Sequence, residues 1–168
     1  MSQITLHGKP IETCGTIISS GSPLLDFVLT ASDLSDKKLA DFEGKKLVLN
    51  IFPSIDTGVC AASTRRFNQE AAALDNTIIL SISKDLPFAQ SRFCAAEGLE
   101  NVVMLSMMRN DSFGQDYGLT ITSGPLTGLL SRAVIVANSS GAVIYSEQVP
   151  EIAQEPDYDA ALEVVKNC

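Results

Sequence analysis

The sequence predicts an α/β fold: a mixed central sheet flanked by helices, with a short β-hairpin in front. Three observations carry this expectation. The runs Leu47–Phe52, Thr77–Ile82 and Ala133–Ala137 are apolar almost throughout rather than alternating, the pattern of strands buried on both faces. Segments rich in Ala, Arg, Gln and Glu follow the first two runs, as the crossover helices of parallel strands require. Asn138-Ser139-Ser140-Gly141 then joins two β-capable runs and adds an antiparallel edge.

Taken in order, Ile4–Leu6 and Pro10–Glu12 flank a Gly8-Lys9 turn and read as a hairpin. Residues 1–18 form this N-terminal extension, and Ser19–Pro23 is a loop. Phe27–Thr30 is apolar and β-capable. Ser35–Lys38 is polar and leads to Leu39 and Phe42. Leu47–Phe52 ends at Pro53 as a buried strand, and Val59–Leu74 reads as a helix. Thr77–Ile82 is β-branched. Pro87–Glu97 reads as a helix with Pro in its first turn and Gly98 just past its end. Val102–Leu105 is a short strand, and Ser112–Tyr117 is a helical turn stopped by Gly118. Ala133–Ala137 and Ala142–Tyr145 are the hairpin strands. Asp157–Lys166 is a last helix with Tyr158, Leu162 and Val165 at helical spacing. From Leu47 on, the order is β-α-β-α-β-α-β-β-α, a thioredoxin-like arrangement with the hairpin added in front.

The 168 residues suit one domain spanning 1–168, long enough to bury a full core. Hydrophobic residues make up 45% and charged residues 19%, which excludes a disordered tail, a coiled coil or a collagen-like chain. With 12 basic and 20 acidic side chains, the net charge of −8 opposes phosphate backbones, so no nucleic-acid partner is expected. No apolar run reaches the roughly 18 residues of a membrane span. The opening Met1-Ser2-Gln3-Ile4-Thr5-Leu6-His7-Gly8 has neither the basic nor the apolar region of a signal peptide, so a cytoplasmic protein without a membrane partner is expected.

Cys14, Cys60, Cys94 and Cys168 form no C-x-x-C pair, and His7, the single histidine, lies in a segment that reads as an edge strand. No close Cys and His spacing suggests zinc. The ordinary role of a scattered cysteine is that of a small buried hydrophobe. Cys60 differs by position. A buried strand runs into Pro53, then a short loop, then a helix whose first turn holds Cys60, at the carboxyl end of a strand where α/β sheets bind ligands. Thr57 is a natural N-cap, which places Cys60 third in the helix. Unpaired amides and the positive helix end favour an anion there, and such positions favour reactive thiolates. A cationic partner would strengthen the effect. Arg132 stands out because it opens the apolar strand Ala133–Val136, although a charge there also suits a solvated strand end.

Pro53-x-x-x-Thr57-x-x-Cys60 matches the P-x-x-x-T-x-x-C signature of peroxiredoxins. The whole segment Asn50–Ser63 resembles the bacterial thiol peroxidase subgroup, the atypical two-cysteine class. So do Asp85–Cys94, Ser131–Val134 and Glu155–Tyr158, and the resemblance covers nearly the whole chain. It implies a peroxidase acting on hydrogen peroxide and organic hydroperoxides. Cys60 would be the attacking thiolate and Cys94 the cysteine that resolves its sulfenic acid in an intramolecular disulfide. Thr57 would hydrogen-bond thiolate and peroxide, Arg132 would hold the thiolate and polarise the oxygen–oxygen bond, and Pro53 would shield the sulfenic acid. The resemblance further implies thioredoxin as reductant, a homodimer, and no metal or organic cofactor. Cys14 and Cys168 match no catalytic position. Two other readings of the residues are a dithiol oxidoreductase acting on protein disulfides, which the missing C-x-x-C disfavours, and a redox sensor without turnover. Consumption of peroxide by catalytic amounts of protein separates them.

Overall fold

The computed structural model describes residues 2–168. Strands β1 (Gln3–Leu6) and β2 (Lys9–Glu12) form a two-stranded antiparallel sheet of their own. The other elements are β3 (Val28–Ala31), β4 (Asp36–Lys38), a 3₁₀ turn over Leu39–Phe42, β5 (Lys46–Ile51), α1 (Gly58–Ala71), β6 (Thr77–Ser83), α2 (Pro87–Glu97), β7 (Val103–Ser106), α3 (Ser112–Asp116), β8 (Ala133–Ala137), β9 (Val143–Gln148) and α4 (Tyr158–Lys166). The main sheet has seven strands in the order β4-β3-β7-β6-β5-β8-β9. Strands β5, β6 and β7 are mutually parallel; β8 runs antiparallel to β5, and β9 and β3 are antiparallel additions on either side.

The apolar runs fill both faces because each is covered. On one face Val48, Ile79, Val134 and Val136 pack against Phe67 of α1 and Leu162 of α4. On the other, Leu49, Leu80, Ile82 and Ile135 meet Phe27, Phe113 and Tyr117. The thioredoxin-like order with its added hairpin is therefore present. No helix among the described residues is long and apolar enough to cross a membrane.

Several expectations are corrected. The hairpin turns at His7-Gly8, not Gly8-Lys9: both residues have positive φ, 50° and 77°, the geometry of a two-residue turn whose twist matches the flanking strands. His7 thus leaves the strand. Two strands of the main sheet precede Leu47. β3 starts one residue later than expected, and β4 is drawn from the polar stretch Ser35–Lys38, whose polarity is that of a sheet edge rather than of a loop. Helix α1 ends at Ala71, short of Leu74. Beyond it the amides of Ala73 and Leu74 bond three residues back, to Glu70 and Ala71, so the last turn tightens. β9 extends to Gln148, three residues past Tyr145, because Ala133 and Val134 offer partners that far.

Candidate active site

Strand β5, next to the central strand β6, ends at Ile51, and residues 52–57 turn the chain into α1. Cys60 is the third residue of that helix and is fully buried, 0% exposed. It packs with Phe52, Ile55 and Met104. Thr57 occupies the N-cap position, but its hydroxyl does not cap the helix. Thr57 Oγ1 donates instead to the Ser54 carbonyl at 3.0 Å, closing the loop. The amides that open α1 are therefore left without a side-chain cap, an arrangement that suits an anion at the helix start.

Arg132 precedes β8, the strand paired with β5, and the register Ile51↔Ala133 brings it to the Cys60 end of the sheet. It is 2% exposed, so the solvated reading of this charge is wrong. Its Nη2 donates to Cys60 Sγ at 3.2 Å, and its Nε donates to the Ile152 carbonyl at 2.8 Å. Nη1 is buried with no hydrogen-bond partner among the described residues. A buried charge is tolerated only when paired. Here the pairing is a carbonyl and a thiol sulfur, and one donor is left over.

Arg132 borders a cavity of about 410 Å³. Pro53, Thr57 and Arg132 line it on the side of Cys60, while Leu126, Leu129 and Ile152 make apolar walls. Leu6 and His7 of the hairpin close it, so the extension belongs to the site rather than to the periphery. The hairpin is held by Glu151, whose carboxylate accepts from Thr5 Oγ1 and from the amides of Gly8, His7 and Ala153. These donors, the Thr5 hydroxyl foremost, hold the Glu151 carboxyl down to about 2.

Cys94 lies in the last turn of α2, half-buried, and packs at the margin of the cluster that holds Cys60. Burial pushes its thiol above the ordinary cysteine value, so it is protonated where it sits. A second cavity of about 470 Å³, with Leu99, Val102 and Met104 in its walls, lies beside it. Cys60 and Cys94 are both free thiols. Cys14, half-buried, points its thiol at the Gly114 carbonyl at 3.5 Å, and Cys168 is exposed; neither joins the site.

The structure thus brings Pro53, Thr57, Cys60 and Arg132 together and leaves Cys94 on the neighbouring helix. Sequence reasoning missed Ser54, Asp85, Glu151, Ile152 and the hairpin wall. Each acts through contacts across 20 or more residues, Arg132 to Ile152 being the shortest in sequence. No local spacing encodes such contacts.

The Redoxin family profile matches residues 19–162. The chain is 56% identical to the thiol peroxidases of Mycobacterium tuberculosis and Mycobacterium bovis over 162 residues, 96% of this chain and 97% of theirs. Among solved structures, a peroxiredoxin-like protein from Aquifex aeolicus superposes with a TM-score of 0.93 at 34% identity, covering 99% of this chain and 97% of that one. A thiol peroxidase from Chromobacterium violaceum gives 0.88 at 25% identity, over 98% and 95%. A buried cysteine at a helix start, held by a buried arginine, is thus found in a chain that belongs to the Redoxin family, among its thiol peroxidases.

Proposed function

We propose that this thiol peroxidase reduces peroxides at Cys60, with Arg132, Thr57 and Pro53 as its immediate setting and Cys94 as the resolving thiol. The observation that carries the reading is the 3.2 Å contact between Arg132 Nη2 and Cys60 Sγ at an uncapped helix start. The guanidinium and the helix end both turn positive charge toward sulfur. The thiolate attacks the terminal oxygen of the peroxide and the oxygen–oxygen bond breaks. Sulfur is oxidised to sulfenic acid, and the departing oxygen takes up a proton to leave as water or an alcohol. Negative charge moves from sulfur to that oxygen, and the free Arg132 Nη1 is a preorganised donor for it. Pro53 lines the same cavity, and the Thr57 hydroxyl keeps lone pairs for the incoming peroxide proton while it donates to Ser54. The apolar walls suit the alkyl group of an organic hydroperoxide, while hydrogen peroxide needs only the polar end.

In the second step the Cys94 thiol attacks the sulfenic sulfur, a disulfide forms and water leaves. A disulfide needs Cα atoms roughly 4.4–6.8 Å apart, so two cysteines in the bodies of separate packed helices meet only after local backbone movement. A dithiol protein such as thioredoxin then reduces the disulfide by exchange. Four free thiols fit the reducing cytoplasm where such a reductant works. We take the working form to be a homodimer, as the resemblance to thiol peroxidases implies.

The test is one equivalent of peroxide followed by mass spectrometry, then turnover with excess thioredoxin system. We expect a Cys60–Cys94 bond and sustained peroxide consumption. A disulfide through Cys14 or Cys168, or no consumption, overturns the assignment.

A further inference from the structure

A carboxylate outside the reacting group binds the segments of both cysteines. Asp85 lies between the end of β6 and the start of α2. Its Oδ1 accepts from Ser54 Oγ at 2.7 Å, and its Oδ2 accepts from the Ile55 amide at 2.7 Å and from Ser83 Oγ at 2.6 Å. Ser54 in turn organises the loop that leads to Cys60. Its carbonyl accepts from the Thr57 amide and hydroxyl, and its Oγ accepts from the Asp56 amide. The entry to α1 therefore hangs from Asp85.

On the other side stands Gln90 of α2, fully buried. A serine hydroxyl has one proton to give. Ser83 gives it to Asp85, so toward Gln90 it can only accept. Gln90 must turn its amide nitrogen inward, and Nε2 does donate to Ser83 Oγ at 3.1 Å and to the Leu105 carbonyl at 3.0 Å. The orientation strands Gln90 Oε1, which is buried and without a donor. An unsatisfied buried acceptor weakens the seat it occupies. Pro87 and Gln90 are the only α2 side chains that are fully buried. The Leu105 carbonyl and Ser83 Oγ together fix that orientation, and through Ser83 the same carboxylate that ties down the Cys60 loop is joined to the incompletely satisfied seat of the Cys94 helix.

We propose that Asp85 is a positioning residue that couples the Cys60 loop to the α2 seat, and so sets how the Cys60 sulfenic acid divides between its two fates. This rests on the Cys60–Cys94 cycle above. In one fate the sulfenic acid condenses with the Cys94 thiol, giving disulfide and water. In the other a second peroxide oxidises it to sulfinic acid and leaves as water or alcohol. The first needs both segments to move; the second needs Cys60 to stay in its peroxide-reactive seat. Asp85 holds that seat, so it favours reaction with peroxide and delays resolution.

The experiment compares wild type with Asp85→Asn and Ser54→Ala, measuring the rate of Cys60 oxidation by hydrogen peroxide and the sulfinic Cys60 formed per turnover. Asp85→Asn removes charge-assisted bonds at nearly constant volume. The peroxide step is expected to slow by about tenfold, the scale of one such bond, while sulfinic acid per turnover falls several-fold. Ser54→Ala is expected to move both in the same direction by less, and it carries the test if Asp85→Asn does not fold. Val165→Ala, on the buried face of α4, serves as a variant of comparable stability loss and is expected to leave sulfinic acid per turnover unchanged. An unchanged or higher sulfinic yield in both loop variants, or an equal fall in Val165→Ala, overturns the role of Asp85 while the wild-type disulfide stands. Absence of that disulfide in wild type overturns the cycle, and this proposal with it.

Discussion

Helix α1 carries Cys60 in its first turn and buries Cys60, Ala61, Ser63, Thr64 and Phe67; helix α2 carries Cys94 in its last turn and buries only Pro87 and Gln90. The two helices are neighbours in sequence and lie against the same sheet, yet one is rooted in the core and the other rests on it. Phe67 is 0% exposed, whereas Phe88 is 65% exposed. Local stability follows from such differences, because a segment with few buried apolar contacts opens at lower free energy than the whole molecule. On the proposed cycle, the thiol that must hold one geometry for peroxide sits on the anchored helix, and the thiol that must travel sits on the detachable one. The bidentate Arg65–Glu97 pair joins the two helices, but both side chains are exposed and such pairs hold weakly.

The largest effect expected separates the two cysteines themselves. Cys60→Ser is expected to abolish peroxide consumption altogether. Cys94→Ser is expected to keep the first turnover and lose sustained turnover with thioredoxin, while its Cys60 accumulates as sulfenic and then sulfinic acid. Equal loss of the first turnover in both would erase the distinction between attacking and resolving thiol.

Next come the two phenylalanines. Phe67→Ala is expected to cost about 3–5 kcal/mol of global stability, as for a fully buried aromatic. Phe88→Ala is expected to stay within about 0.5 kcal/mol. Denaturant unfolding of the two variants measures both, and similar losses would show that α2 is as firmly rooted as α1.

Arg132→Met bears on the Cys60 side alone. It removes the donor to sulfur and the free Nη1, so the peroxide reaction is expected to slow by on the order of 10²–10³-fold. The rate of disulfide formation from preformed sulfenic acid should change far less. A stopped-flow measurement of the two steps distinguishes them.

The smallest effect concerns the hairpin that walls the Cys60 cavity. Glu151 has its carboxyl held at about 2 in the folded protein against an ordinary 4.5. A group depressed on folding contributes its stability above the unfolded value and loses it as pH falls through the folded one. Attachment of the hairpin is therefore expected to weaken between about pH 4.5 and pH 2. Amide exchange of residues 3–12 should rise in that window, and in Glu151→Gln it should be raised and flat there.

Much of this was legible in the sequence because buried parallel strands announce themselves. Ala133–Ala137 is apolar throughout and Leu47–Phe52 is broken only by Asn50, and a strand–Pro–loop–helix passage marks where a cysteine is expected to be reactive. Arg132 was legible as an anomaly, a charge at the head of an apolar strand, but its meaning was not. Its distance to sulfur depends on β8 lying beside β5, a pairing of residues 82 to 90 positions apart, from Ile51↔Ala133 to Leu47↔Ala137. β4 was missed because an edge strand carries the composition of a loop. Asp85 was missed because a carboxylate before a helix proline is an ordinary turn residue. Only the packing of residues 54 and 55 against it gives it partners.

The clasp between the hairpin and Glu151 has a consequence for the order in which the molecule is completed. Thr5 and Glu151 are 146 residues apart, and Arg132 follows Cys60 by 72. Contacts between distant positions form late, since the intervening chain must be closed before they reward it. On a ribosome the hairpin emerges early and waits for a partner made long after it. The cysteine is likewise synthesised well before its arginine. On the proposed assignment of Cys60, the nascent chain gains its reactivity toward peroxide only when the distant pieces have docked.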